Sequence, residues 1–281
     1  MDIKSFAKIN LSLRVVGQRD DGYHELEMVN LPIELHDVIS IDRIGGGDTY
    51  IICDDLHLMG LKTNLCKRAV DAMRETYRFK DNFMIHIHKE IPFAAGLGGG
   101  SSNAACILMA LNSMLKLGAS NEDLAKVGKP IGADIPFFVD PHPSLVEGIG
   151  EKITRIPCKK QFYCLIVKPE QGLSTKDVYA ICDQFPAKRV DTQNVLKGLA
   201  EGDEALIAKS IGNDLMSAAV KLLPEVGEIY ASLIDDGFSI VSMSGSGSSL
   251  FALSSDLHKC REAERKYDKL GYITVLTKTL K

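Results

Sequence analysis

Nothing in the 281 residues forms a run of lysines or arginines, and the net charge is −4. That argues against a nucleic-acid backbone as the main partner, because phosphate binding along a strand needs a basic stripe. A small anionic ligand needs only local positive potential and stays open. No CxxC pair occurs among the seven cysteines, at 53, 66, 106, 158, 164, 182 and 260. An odd count without paired spacing points to neither a disulfide framework nor a zinc site. Most of these cysteines lie in apolar surroundings and are expected to be small buried residues. The opening MDIKSFAKIN has no apolar signal core and no Arg/Ser-rich transit pattern. No stretch approaches the roughly 18 apolar residues of a membrane span, so no membrane partner is expected. A reduced cytoplasm fits these absences. Internal repeats and low-complexity segments are absent too.

What is present is a globular composition, with 45% apolar and 25% charged residues. The length suffices for one large domain or two ordinary ones. From Phe6 to Val16, Ile9, Leu11, Leu13 and Val15 alternate with Lys8, Asn10, Ser12 and Arg14, which predicts a strand with one buried and one polar face. Asp20-Asp21-Gly22 signals a turn. Apolar segments return at 26–35 and 38–44. Residues 64–77 predict a helix with Leu65, Ala69, Val70 and Met73 on one face. Residues 83–91 alternate again, with Phe83, Ile85 and Ile87 inward. Residues 104–117 are apolar on nearly every side, so a buried helix is expected. Ser120 is placed to cap a short helix over 121–127. Pro130 should stop that helix early.

The composition shifts near 157–160. Strands are expected at 162–167, 239–243, 250–253 and 272–277, and helices at 175–185, 201–212, 214–223, 226–235 and 258–270. This second half fits a β-α-β-β-α-β-like run. Together the two halves predict an α+β chain of two domains, 1–155 and 156–281.

The most informative stretch is FAAGLGGGSSNAAC, Phe93 to Cys106. Glycines allow positive φ and close approach by another group. A glycine-rich loop before a helix presents free N–H groups at the positive helix end, which is an anion site. The serine hydroxyls add donors and are suitable ligands for magnesium. GxxxxGK[ST] is absent, so this is no Walker A loop. No acidic residue stands about 20 positions on at a strand end, so it is no dinucleotide fingerprint. Taken alone the loop serves equally as a flexible turn or a tight packing loop. GADIPFF, Gly132 to Phe138, puts Asp134 in an apolar segment, where a carboxylate must be paired, hydrogen-bonded or working. SGSGSS, Ser244 to Ser249, is a second small-residue loop and by itself an ordinary strand connection. His86 and His88 share a strand face without a third placed ligand, so no metal site is expected there.

These pieces, in this order, resemble the GHMP kinases. AKINLSLRVVGQRDDGYHELE, IPFAAGLGGGSS, GADIPFF, EGIGEKI, GLSTKDVY, GNDL and SGSGSS carry the likeness from Ala7 to Ser249. The resemblance implies a two-domain GHMP kinase fold with its active site in the interdomain cleft. It implies an ATP-dependent phosphotransferase, Mg2+ as companion ion, and a monomer or homodimer. Lys8 and Asp134 would be the catalytic pair. Pro92, Phe93, Ala94, Ala95, Gly96, Leu97, Gly98, Gly99, Gly100, Ser101 and Ser102 would wrap the ATP phosphates, with Asn64 and Lys89 near the adenine. GYHE and STKDVY narrow the substrate to a cytidine diphosphate-linked methylerythritol, contacted by Asn10, Tyr23, His24, Thr175 and Tyr179. Aromatic rings stack on a base, and neutral polar groups read its edge. Without the family, Lys8 reads as a solvated strand lysine and Tyr23 as a half-buried strand aromatic. A mevalonate- or homoserine-type kinase and a non-catalytic ATP-binding relative are the alternatives. Asn103 stands where the family usually has Asp, at a position expected to cap the helix.

Overall fold

A computed structural model describes residues 1–20, 22–54, 64–186 and 190–281. The chain forms two compact units that interleave along the sequence. The first takes 1–7, 36–91 and 98–141; the second takes 8–35, 92–97 and 142–281. Two long strands, β1 (Asp2–Gln18) and β2 (His24–Ile44), contribute residues to both and pair with each other.

In the first unit, β4 (Asn82–His88) pairs antiparallel with the later half of β2, Val38 opposite His88 through Ile44 opposite Asn82. On its other edge it pairs parallel with β3 (Tyr50–Cys53). Phe83, Ile85 and Ile87 are buried, as alternation requires. Each such side chain taken from water is worth about 1.5–3 kcal/mol. Helix α1 (Leu65–Tyr77) buries Cys66, Ala69, Val70 and Met73. Leu65, expected on that face, is only half-buried, and Cys66 takes its place. Helix α2 (Gly99–Leu115) is buried continuously from Ser102 to Leu108. Helix α3 (Asn121–Gly128) starts with a capping box, Ser120 Oγ accepting from Asp123 N and Asp123 accepting from Ser120 N. It stops two residues before Pro130. The short α4 (Ile135–Val139) follows, with Phe137 and Phe138 in the core.

In the second unit, the early half of β2 pairs with β5 (Ser144–Gly148), which forms a hairpin with β6 (Lys152–Arg155). A separate antiparallel sheet contains β7 (Tyr163–Lys168), β8 (Ile240–Met243), β9 (Leu250–Ser254) and β10 (Ile273–Lys278), in the order β10-β7-β9-β8. This is the strand order of a β-α-β-β-α-β unit, the first strand lying between the fourth and the third. Among the described residues, five helices lie in the first crossover: α5 (Thr175–Cys182), α6 (Thr192–Glu201), α7 (Glu204–Ser210), α8 (Met216–Leu222) and α9 (Glu225–Asp235). Helix α10 (Leu257–Lys269) fills the second.

Three readings of the sequence are corrected. The alternation in β1 does not divide a buried face from a wet one: Lys8, Asn10 and Ser12 are all buried. Segments 26–35 and 38–44 are one strand. The helix expected over 201–212 is α7, and α6 before it runs from an Asp191 cap to Gly202 at φ +77°. At the turn after β1, Gly22 N donates to Arg19 O and Arg19 N to Tyr23 O; Asp21 of that turn lies outside the described residues.

Candidate active site

Helix α2 does not follow the glycine loop but begins inside it. Gly98, at φ +74°, occupies the N-cap, so Gly99, Gly100, Ser101 and Ser102 are the first turn. The N–H groups of Gly99, Gly100 and Ser101 lack carbonyl partners within the helix and carry the positive end of its dipole, while Ser102 N donates to Gly98 O at 2.9 Å. No acidic side chain neutralises that turn. Asn103 is therefore no cap. It is buried one residue further on, with Ser5 Oγ donating to its Oδ1 at 2.7 Å and lying 2.8 Å from Ser102 Oγ, from which it can accept.

Before the loop, Lys89 forms an ion pair with Asp37, whose side chain is fully buried. The other oxygen of Asp37 accepts from Glu90 N at 2.9 Å and Ile91 N at 2.8 Å. A side chain at Gly99 would come within 3.3 Å of the Lys89 ammonium. This lysine fixes the approach to the loop and holds positive charge close to the α2 terminus. Asn64 caps α1 by accepting from Cys66 N at 2.9 Å. Asp134 stands half-buried at the N-cap position of α4 without a side-chain cap hydrogen bond.

The second unit holds the remaining candidates. Pro92 to Leu97 lies in it, and Lys8 N donates to Leu97 O at 3.0 Å. Gly96, at φ +72°, lies against the SGSGSS loop so closely that a Cβ would come within 2.0 Å of Ser244 O. Ser244 Oγ donates to Gly96 O at 2.9 Å and accepts from Asn10 N at 3.3 Å. Asn213 Nδ2 reaches Met243 O and Gly245 O, each at 2.8 Å, and so shapes the SGSGSS loop from the GNDL segment. Ala94 takes φ +49° and packs against Gly172, where a Cβ would come within 2.7 Å of its own. Phe93 is exposed and Ala95 buried.

Lys8 is 3% exposed, not a solvated strand lysine. Its ammonium donates to Asn10 Oδ1 at 2.5 Å, and Asn10 Nδ2 donates to Asn30 Oδ1 at 2.7 Å. The buried Nδ2 of Asn30 finds no acceptor among the described residues. Sequence reasoning missed Asn30, although its polar amide in the apolar MVNLPI run was the available signal.

Further along the same unit, His24 and Tyr179 bring their rings together, centroids 5.2 Å apart and 35° between planes. His24 Nε2 lies 3.1 Å from Asp183 Oδ2 and 3.7 Å from Cys182 Sγ. Burial, helped by the charge of Asp183, pushes the Cys182 thiol up to about 11. Tyr23 is 63% exposed, not half-buried. Thr175 Oγ1 is 2.9 Å from Ser246 Oγ, which links the STKDVY segment to the SGSGSS loop. The His86 and His88 rings meet at a tilt of 52°, centroids 4.1 Å apart, and His88 Nδ1 meets Asp54 at 3.3 Å.

The profile of the GHMP kinases N terminal domain matches residues 64–140, and that of the GHMP kinases C terminal matches 195–273. The chain is 38% identical over 275 residues to a 4-diphosphocytidyl-2-C-methyl-D-erythritol kinase of Pelotomaculum thermopropionicum, covering 97% of this chain and 96% of that one. To the kinase of that name from Clostridium tetani it is 36% identical, covering 96% and 98%. A crystal structure of a 4-(cytidine 5'-diphospho)-2C-methyl-D-erythritol kinase superposes with a TM-score of 0.83 at 28% identity, covering 99% of both chains. The homoserine kinase of Cytophaga hutchinsonii, at 19% identity and a TM-score of 0.75 over 99% and 94% of the two chains, shares the fold. The chain belongs to the GHMP kinase family, beside its 4-diphosphocytidyl-2-C-methyl-D-erythritol kinases.

Proposed function

We propose that this protein uses ATP to phosphorylate the 2-hydroxyl of 4-diphosphocytidyl-2-C-methyl-D-erythritol, a step toward isoprenoid precursors outside the mevalonate route. The observation that carries this reading is the 38% identity across nearly the whole of both chains with a kinase named for that substrate. In this reading residues 1–155 supply the phosphate loop, the catalytic pair and the substrate contacts Asn10, Tyr23 and His24, and 156–281 supply Thr175, Tyr179 and the SGSGSS loop on the substrate side.

Phosphoryl transfer asks mainly for positioning and charge stabilisation. The N–H groups at Gly98 to Ser101 receive the ATP phosphates. Gly96, held against Ser244, keeps the loop in the shape that presents them. Asp134 takes the proton from the attacking hydroxyl. Lys8 favours the ionised carboxylate and stabilises the charge that develops on transfer. The Asn10 bond to Lys8 orients the ammonium, and Asn30 holds Asn10 in place by accepting from its Nδ2. Tyr23 and Tyr179 flank the cytosine, His24 reads its edge, and Thr175 gives a further polar contact. Mg2+ needs no dedicated protein cage when phosphates supply its ligands. The half-buried hydroxyl of Ser101, at the α2 terminus, is a hard oxygen donor that would fit it, whereas Ser102 is buried against Ser5. Bound there, it would neutralise phosphate charge.

The test is ADP release by the purified protein, with the cytidyl substrate, mevalonate and homoserine offered in parallel and Asp134→Asn as control. Turnover with the cytidyl substrate alone, lost in the variant, is expected. Turnover with another alcohol would keep the family and overturn the substrate. ATP binding without any turnover would favour the non-catalytic reading.

A further inference from the structure

His24, Cys182 and Asp183 are the one group of three metal-ligating side chains, among the described residues, whose donor atoms all lie within 4.8 Å of one another. Taking Asp183 Oδ1 as its one donor, the separations are 3.2 Å from His24 Nε2 to Asp183 Oδ1, 3.7 Å from Nε2 to Cys182 Sγ, and 3.7 Å from Sγ to Asp183 Oδ1. A tetrahedral Zn2+ with ordinary Zn–N, Zn–S and Zn–O bonds sets its ligand atoms about 3.4–3.6 Å apart. The three atoms already stand close to those spacings, so an ion would need only small side-chain rotations.

The surroundings suit an ion that arrives from solvent. Cys182 is 6% exposed at the last residue of α5, while the Asp183 side chain is 60% exposed. The Tyr179 ring packs against His24 and helps to fix the imidazole plane. A nitrogen, a thiolate and one carboxylate leave a fourth position for water, a donor set that suits Zn2+ or Co2+ and is too soft for Mg2+.

We propose that His24, Cys182 and Asp183 form a three-ligand site for a zinc-type cation, open toward Asp183, whose occupation withdraws His24 from nucleotide recognition. On binding, the thiol proton goes to solvent, and the imidazole presents the Nε2 lone pair with its proton on Nδ1. Where His24 reads the base edge through Nε2, that atom cannot ligate a metal as well, so metal and cytidine compete for it. Only this competition rests on the function proposed above; the metal site rests on the three side chains.

The test titrates the full chain with CoCl2 and then ZnCl2 in the absence of substrate. One equivalent of Co2+ should give a tetrahedral visible spectrum with a thiolate-to-cobalt charge-transfer band, and Zn2+ should bleach both. Cys182→Ser should lose the charge-transfer band while six cysteines remain. Asp183→Asn, a change at an exposed side chain, should weaken Co2+ binding at least ~10–100-fold, the loss typical of removing even an outer-shell partner. No band in the unaltered protein overturns the site, as does a band that survives Cys182→Ser or an affinity unchanged in Asp183→Asn. Cytidine diphosphate should then weaken Co2+ binding. If Co2+ binds as described and cytidine diphosphate leaves it unaltered, the metal site stands and the placing of cytosine at His24 Nε2, with the competition, falls.

Discussion

Gly96→Ala separates two costs that a glycine can avoid. At φ +72° any L side chain is strained, and here the new Cβ would also stand 2.0 Å from Ser244 O and 2.9 Å from Ser244 C. Gly118 has the same φ of +72°, and a Cβ there would meet nothing within 4 Å, so Gly118→Ala carries only the conformational cost, about 1–2 kcal/mol. At Gly96 the two loops must also part by about 1 Å to reach a tolerable contact. That movement breaks the Ser244 Oγ bond to Gly96 O and strains the Asn10 bond to Ser244, about 1 kcal/mol each. The sum is about 3–4 kcal/mol against 1–2 for the control. At roughly 2–4 °C per kcal/mol, Gly96→Ala should lower Tm by roughly 6–16 °C and Gly118→Ala by roughly 2–8 °C. Paired melts by circular dichroism would measure this, and kinase assays below both transitions should show a larger loss of kcat/KM for Gly96→Ala. Equal melting shifts and equal activities would refute the contact between the loops as the reason for glycine.

Three further outcomes follow from other contacts. Asp37→Asn leaves the Lys89 ammonium without its buried counter-charge and should cost about 3–5 kcal/mol, read by denaturant unfolding. Asn64→Ala should lose about 1 kcal/mol of stability through the α1 cap, while Asn64→Asp keeps it; equal melts for these two variants would show that the cap contributes nothing. For Glu204, burial raises the pKa but is outweighed by hydrogen bonds from Lys160 and Ser255 and by the Lys160 charge, leaving the folded-state value below 4.5. A depressed carboxyl contributes stability above its unfolded pKa and loses it as pH falls through the folded value. Melting curves from pH 7 down to below 4 should therefore fall less steeply for Glu204→Gln than for the unaltered protein.

Much of the fold was legible where one element carried its own signals. The Ser120 capping box and Pro130 bracket α3, and strict alternation marks β4. The failures share a cause, since each depends on something distant in sequence. Lys8, Asn10 and Ser12 look wet by pattern, yet Asn10 is satisfied by Asn30 and Ser244, 20 and 234 residues away. Asn103 looks like a cap until Ser5 supplies its partner 98 residues earlier. The glycine loop and SGSGSS were readable as motifs, but not their contact through Gly96 and Ser244. Cys182 and Asp183 gave no signal, because only folding brings His24 to them.

The proposed phosphoryl transfer is tested most directly by 31P NMR of the products formed from ATP and 4-diphosphocytidyl-2-C-methyl-D-erythritol. A new phosphomonoester resonance should grow in step with ADP while the cytidine diphosphate signals persist, and neither change should occur with Asp134→Asn. Inorganic phosphate in place of the ester, or an ester formed equally well by Asp134→Asn, would contradict it.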